Sequence, residues 1–578
     1  MAKQINLGLK LNAQQKRAVQ TLKGANCVIA GAGTGKTTVL TAKILHSQSN
    51  DPCSNALALT FSKKAVAELQ QRLADSWGNI TVSTFHSFYF RILRTNGFRN
   101  FHFIENDGIK LNFLQEAINQ CGFTEHITAS ELAEAIGTCR IAKDEMFQTA
   151  AEIYFDRLKS ERLMCYDSLQ YFAKELLESK PAIKRYIREC WDYVLIDEAQ
   201  DMNFLQAEIV KLIWDNDSNP NITFVGDPKQ SIYAFRGANP MMMNELAEHY
   251  ATPIHTLTTN YRSTGEILDI ANSLINTKHK LVAQKGYSGT KPTFYAGATI
   301  KEEASYVVNA IKKLRETGVP YKNIAILFRS GGSSSAVWEE LVKRSVPFVK
   351  HGSDSLRWNN SKVKKLVSLL MLIHDSNTPV AECAMPVFGI APELIKDRDW
   401  QSVLDNTSLP KSTRKKLKQF FSIDPTQYCL TDLVIKLWHD YLRVYFGAQD
   451  DVLLEEFLVL VEPFANWQAL YSHLLLVHKV NKKMKKLLTN PNADYVQFLS
   501  IHTAKGAEFE HVFIIGAADG VLPDTSHDKM NMSEESRLAY VAVTRARQTL
   551  TITYPQVNEN GYTNKPSRFF AQYFSDPS

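Results

Sequence analysis

The chain has 578 residues, 44% of them hydrophobic and 22% charged, an ordinary globular composition with room for about four domain-sized units. Its formal net charge of +6 permits a polyanionic partner without demanding one. The apolar stretches are short (Leu366 to Ile373) or broken by glutamates (Val452 to Val480), the start Met-Ala-Lys-Gln-Ile-Asn has no apolar signal core, and the eight cysteines form no C-x-x-C pair, so the expectation is a cytosolic protein without a membrane span, zinc site, iron–sulfur cluster or disulfide framework.

In chain order, Leu11 to Val19 reads as a surface helix. Next, Cys27-Val28-Ile29 leads into the small-residue loop Ala30-Gly31-Ala32-Gly33-Thr34-Gly35-Lys36-Thr37-Thr38, and helical spacing resumes to Leu45. Strand, loop and helix in that order aim backbone N–H groups and a helix N-terminus at one point, a cradle for phosphate. Lys36 would reach the terminal phosphates and the Thr37 hydroxyl would ligate Mg²⁺. The pattern G-x-x-x-x-G-K-[ST] is met except at its first position, where Ala30 requires an ordinary backbone conformation.

Ala56 to Phe61 is a continuous apolar run suited to a strand covered on both faces, and Ile80 to Ser87 reads as a further strand ending in polar and aromatic groups. Helical periodicity then dominates from Phe88 to about Tyr186, an inserted helical domain. Tyr193-Val194-Leu195-Ile196 is a buried strand ending in Asp197-Glu198, and Asn221 to Asp227 repeats the form. Strands alternating with helices, their polar groups gathered at the strand ends, predict a parallel sheet with a site along its C-terminal edge. The second half repeats the grammar, with strands at Ile324 to Phe328, Val496 to Leu499, Val512 to Ile515 and Leu550 to Thr553, and a mostly helical stretch from about Pro379 to Asn490. One carboxylate of Asp197-Glu198 can hold Mg²⁺ while the next deprotonates an attacking water.

Asp197-Glu198-Ala199-Gln200-Asp201 and the run Gly226 to Ala238 (Gly-Asp-Pro-Lys-Gln-Ser-Ile-Tyr-Ala-Phe-Arg-Gly-Ala) resemble motifs II and III of the UvrD/Rep family of superfamily 1 helicases, the latter in a RecB-like form. The other motifs follow in order. Leu11-Asn12-x-x-Gln15 resembles the Q motif, Thr60-Phe61-Ser62 and Thr84-Phe85-His86 the motifs that touch single-stranded DNA, Asn260-Tyr261-Arg262-Ser263 motif IV, Ser500 to Phe509 motif V, and Glu534 to Ala546 motif VI.

The resemblance implies two RecA-like P-loop parallel-sheet α/β domains, each with a mainly helical insertion. Domain 1A would comprise residues 1–88 and 189–257, with insertion 1B at 89–188; domain 2A would comprise 258–378 and 492–578, with a short insertion 2B at 379–491. It implies ATP and Mg²⁺ as cofactors, with Lys36, Glu198, Gln230, Arg262 and Arg545 catalytic and Thr37 and Asp197 on the metal. Gln15, the loop Ala30 to Thr38, Tyr261 and Glu508 would bind nucleotide: Gln15 at the adenine edge, Tyr261 on its face and Glu508 at the ribose. Thr60, Phe61, Thr84, His86, Tyr233, Phe235, Arg236, Ser500 and His502 would contact the strand, although aromatics at strand ends are often core residues instead. Phe235 replaces a tryptophan common in the family, and Phe388-Gly389-Ile390-Ala391 keeps only part of a duplex-gripping Gly-Ile-Gly turn.

The expected function is an ATP-dependent 3′ to 5′ helicase or translocase on single-stranded DNA, a monomer or weak dimer acting in repair, recombination or replication. One alternative is a protein-stripping motor, or a subunit of a repair or defence complex, with little unwinding of its own; another is a nucleotide-dependent switch without turnover. The basic runs Arg414 to Lys418 and Lys482 to Lys486 read equally as phosphate contacts or as solvated helix faces. With about thirty residues after motif VI, a fused nuclease domain is not expected.

Overall fold

The computed structural model describes residues 10–74, 79–104, 107–139, 141, 144–331, 334–351, 361–374, 379–390, 409–446, 452–525, 531–558 and 561–574. The chain divides into two compact units: Met1–Glu303 with Ile324–Arg329 and Ala504–Ser578, and Ala304–Asn323 with Ser330–Thr503.

In the first unit six strands form one parallel sheet: β1 (Asn26–Ala30), β2 (Asn55–Thr60), β3 (Asn79–Thr84), β4 (Tyr193–Ile196), β5 (Ile222–Gly226) and β6 (Ile254–Leu257), in the order β3-β2-β4-β5-β1-β6. Val28, Leu57, Leu59, Ile196 and Phe224 are buried, as continuous apolar runs in a sheet covered by helices should be. The register pairs Leu59 with Ile196 and Ile29 with Gly226, so the loops after β1, β2, β4 and β5 leave the sheet at one edge. That alignment gathers the phosphate loop, Phe61, Asp197 and Asp227.

Sequence reading extends the third strand to Ser87, but the strand ends at Thr84. The Thr84 hydroxyl there accepts the Ser87 N–H (3.2 Å) and caps the helix Phe85–Thr95, so local capping ends the strand where β-propensity alone would continue it. Between β3 and β4 the chain is helical (Phe85–Thr95, Asp107–Cys121, Ala129–Gly137, Glu145–Ser160, Tyr166–Ser179 and Pro181–Glu189), joined by one short parallel pair, His102–Phe103 with Leu163–Met164. Phe88, Tyr89, Leu132, Tyr154, Phe172 and Trp214 make its core continuous with one face of the sheet.

Four further strands of the first unit, β7 (Thr293–Gly297), β8 (Ile324–Phe328), β9 (Phe509–Ile514) and β10 (Ala546–Pro555), lie parallel in the order β7-β10-β9-β8. The second unit pairs Phe348–His351 with Val496–Ser500 in parallel. It also carries the helices Ser361–His374, Lys411–Phe421, Leu430–Leu437, Val452–Val461 and Trp467–Leu488, packed around Leu366, Leu370, Phe388, Phe420, Leu433, Trp438 and Phe457. Gly389 has a left-handed φ of 70° and Ile390 is buried, while Ala391 lies outside the described residues. No helix among the described residues is long and apolar enough to cross a membrane. The architecture is α/β, with parallel sheets and helical insertions.

Candidate nucleotide and strand-binding site

The phosphate loop joins β1 to the helix Lys36–Asn50. Ala30 is buried and lies outside the left-handed region, so this position needs no glycine. Gly33 and Gly35 do need it: their φ values are 66° and 86°, and a Cβ at Gly33 would sit 2.6 Å from Asn260 Nδ2. The Thr34 hydroxyl donates to the Gly31 carbonyl (2.8 Å) and tightens the turn.

Gln15 is drawn into this loop. Its Nε2 donates to the Thr34 carbonyl (2.9 Å) and its Oε1 accepts the Asn12 N–H (3.0 Å), half of a capping box that starts the helix Ala13–Gln20. Asn12 Nδ2 donates to the Tyr261 hydroxyl (2.8 Å), leaving the Tyr261 ring partly exposed beside the loop. Asn260 Nδ2 reaches the Ala32 carbonyl (2.7 Å).

Asp197 and Glu198 follow β4, and Glu198 takes the left-handed conformation (φ 51°) that a non-glycine residue adopts only when its surroundings hold it there. Lys36 Nζ lies 3.0 Å from Glu198 Oε2, and Gln200 Nε2 donates to the same oxygen (2.6 Å). Burial works to raise the Glu198 carboxyl, but Lys36, Lys505 and the Gln200 amide outweigh it and hold Glu198 low. Burial and the neighbouring Glu198 charge push Asp197 up. The Thr37 hydroxyl and the Asp197 carboxylate are hard oxygen donors of the kind Mg²⁺ prefers. Among the described residues no group of three or more His, Cys, Asp or Glu is placed to hold a metal ion.

Asp227 Oδ2 accepts Gln230 Nε2 (2.7 Å), and Gln230 Oε1 accepts Arg545 Nη2 (3.0 Å). Arg545 is 1% exposed, and its other nitrogens are fixed by the carbonyls of Val541 and Ala507. Burial, with Arg262 nearby, lowers its guanidinium to about 9, which leaves it charged at neutral pH. Arg262 pairs with Glu508 (2.6 Å) and donates to the Thr544 carbonyl (3.0 Å). Glu508, expected at a ribose, is therefore engaged by Arg262 and also by Arg547.

Sequence reading assigned no part to Gln200, Lys505 or Tyr540. Gln200 links Glu198 to the backbone of Asp227, whose N–H it accepts (2.8 Å). Lys505 forms a buried ion pair with Asp201 and donates to the Gln230 carbonyl (2.7 Å). The Tyr540 hydroxyl accepts the Ala32 N–H of the phosphate loop (3.4 Å). Their signal is positional: each falls inside a motif run, at a place where chemistry alone singles out nothing.

Of the residues expected on the strand, Thr60 is fully buried and Thr84 serves as the helix cap described above. Phe61 packs on the buried Phe85 ring (5.3 Å between centroids). Tyr233 and Phe235 meet edge to face at 5.9 Å, with the Arg236 guanidinium 5.4 Å from both rings and Phe235 59% exposed. His86 meets Tyr166 edge-on at 5.6 Å, and burial lowers its imidazole. Tyr166, 57% exposed and 4.7 Å from Phe103, extends the aromatic surface, and the amphipathic helix it opens had hidden it from sequence reading. Ser500 and His502 belong to the other unit, where the Ser500 hydroxyl bonds Thr503 (2.8 Å) at the start of the short helix Ile501–Ala504.

Residues 11–251 match the UvrD/REP helicase N-terminal domain family, and residues 255–381 and 455–557 match the UvrD-like helicase C-terminal domain family. The chain is similar to ATP-dependent DNA helicase PcrA of Staphylococcus aureus, 28% identical over 97% of this chain and 86% of that protein. It is equally similar to PcrA of Staphylococcus epidermidis, 29% identical over 98% of this chain and 86% of that one. With a phosphate loop, a carboxylate pair and two arginines meeting at one sheet edge, and with family matches along both halves, the chain belongs to the UvrD/Rep-like helicases, a family of ATP-hydrolysing enzymes.

Proposed function

We propose that this protein is an ATP- and Mg²⁺-dependent motor that moves 3′ to 5′ along single-stranded DNA and opens duplex during repair, recombination or replication. The observation that carries the reading is the chain Asp227–Gln230–Arg545: it brings a buried arginine to the loop whose next residues, Tyr233 and Phe235, present aromatic faces. A nucleotide-sensing bond and a base-stacking surface thus share one short segment.

In this reading the N–H groups of Ala30 to Thr38 cradle the phosphates, and Lys36 leaves Glu198 for the terminal phosphate. Glu198, freed and ionised, accepts a proton from the attacking water as the bond to the leaving ADP oxygen breaks. Arg545 and Arg262 neutralise charge on the phosphoryl oxygens, and Gln230 holds Arg545 in place. Thr37 and Asp197 would hold Mg²⁺, which screens the phosphate charge when bound. Gln15 and Tyr261 would face the base. Phe61, His86, Tyr166, Tyr233 and Phe235 would stack on nucleobases, with Thr84 and Arg236 near the backbone, while Ser500 and His502 are strand contacts by motif resemblance alone; stacking is indifferent to sequence, as a motor track requires.

The test is ATPase activity with and without oligothymidylate, together with strand separation on duplexes carrying a 3′ or a 5′ tail. Stimulation by the oligonucleotide and opening from the 3′ tail support the reading. No stimulation, or opening only from the 5′ tail, overturns it. A translocase with little unwinding of its own is favoured by one observation: Ile390, which a duplex-gripping turn would present, is buried in the helical core.

A further inference from the structure

The helix Met532–Val543 bonds to both the phosphate loop and the aromatic loop. Near its C-terminus lie the Tyr540 contact to Ala32 and, two residues past its end, Arg545. Near its N-terminus are two residues with no part in the chemistry above. Glu534 Oε1 accepts the N–H of Ala234 (3.1 Å), and Arg537 Nε donates to the carbonyl of Ser231 (2.6 Å).

These two bonds straddle Tyr233, one before it and one after. They lie three residues apart on one face of a helix, so they move together when the helix moves. Both go to the backbone, which fixes the path of the loop itself. Arg537 is partly buried and meets a carbonyl there, a costly place for a guanidinium unless the bond holds something. The loop is held from beneath as well, because the Ser231 hydroxyl donates to the Gln200 carbonyl (3.1 Å) and Gln200 reaches Glu198.

We propose that Glu534 and Arg537 are positioning residues that clamp the loop Ser231 to Ala234 to the helix leading to Arg545. Displacement of that helix by nucleotide then reaches Tyr233 and Phe235 as a displacement of the bases stacked on them. The proposal rests on the reading of nucleotide and strand sites given above. It assigns neither residue to substrate: both act through the backbone of the loop.

The experiment uses the full chain with Glu534→Ala, Arg537→Met and the conservative Glu534→Gln, whose amide oxygen still accepts the Ala234 N–H. Basal ATPase without DNA should stay within about twofold of wild type in all three. In Glu534→Ala and Arg537→Met, the oligothymidylate concentration for half-maximal stimulation should rise about tenfold, and nucleotides travelled per ATP should at least halve. Glu534→Gln should recover most of both. Unchanged half-saturation and step in the first two variants overturn the clamp. So does a proportional fall of basal and stimulated rates with a lowered unfolding temperature, which marks a merely structural role. A wild-type enzyme that ignores oligothymidylate removes the functional reading itself. If one variant fails to fold, the other carries the same test.

Discussion

Lys36 and Glu198 hold each other at 3.0 Å, and that pair decides how single substitutions should behave. Glu198→Gln removes the proposed proton acceptor while leaving the phosphate loop intact. Turnover with DNA should fall by about 10²–10⁴ with ATP binding retained; equal turnover in wild type and variant would exclude Glu198 as the base. Arg545→Ala removes a guanidinium directed at Gln230 by three fixed nitrogens, so the ATPase rate should drop on the order of 10³–10⁵ while DNA affinity changes little. A loss below about tenfold would pass the role to Arg262. The loop itself was legible because its pattern is short and contiguous. The engagement of Gln15 by Thr34 and Asn12 was not, because capping choices depend on how the helix seats against the loop.

Among the elements, the helix beginning at Ile300 buries Glu303, which accepts the Thr553 hydroxyl (2.6 Å) and the Gly516 N–H (2.9 Å). Burial pushes its carboxyl from 4.5 up to about 7, against those two hydrogen bonds. Between these values the folded chain binds more protons than the unfolded one, so this group's contribution is greatest below about 4.5 and is lost as pH rises towards 7. Glu303→Gln keeps the acceptor and removes the titration. Denaturant unfolding should therefore show the variant gaining on wild type by roughly 3 kcal/mol between pH 4.5 and 8, whatever fixed cost its amide adds; parallel pH curves would show that Glu303 does not titrate. The helix Trp467–Leu488 ends in Lys482, Lys483, Lys485 and Lys486, exposed around the buried Met484. Replacing all four by Gln should flatten the dependence of log duplex affinity on log salt by up to ~3–4 in slope, and an unchanged slope would leave them as a solvated face. Sequence reading found the strands with continuous apolar runs and missed Ile254–Leu257, Thr293–Gly297 and Phe348–His351. All three are sheet-edge strands of mixed polarity, without the continuous apolar run that marks a strand covered on both faces.

At the scale of the whole molecule, the α/β plan with helical insertions was legible because parallel strands buried on both faces leave apolar runs that no insertion obscures. The company those strands keep was not. Gln230 and Arg545 are 315 positions apart, Arg262 and Glu508 246, and periodicity carries no information over such separations. The same separations order events during synthesis. A ribosome releases the phosphate loop, Glu198 and the aromatic loop hundreds of residues before Arg545, so the growing chain holds its proposed nucleotide cradle and base-stacking rings long before the arginine proposed to complete hydrolysis. Until Arg545 is made, a nascent chain would have the groups proposed to hold nucleotide and nucleic acid without the arginine proposed to drive turnover, so the synthesis of that one residue, more than the appearance of the loop, marks when hydrolysis could begin.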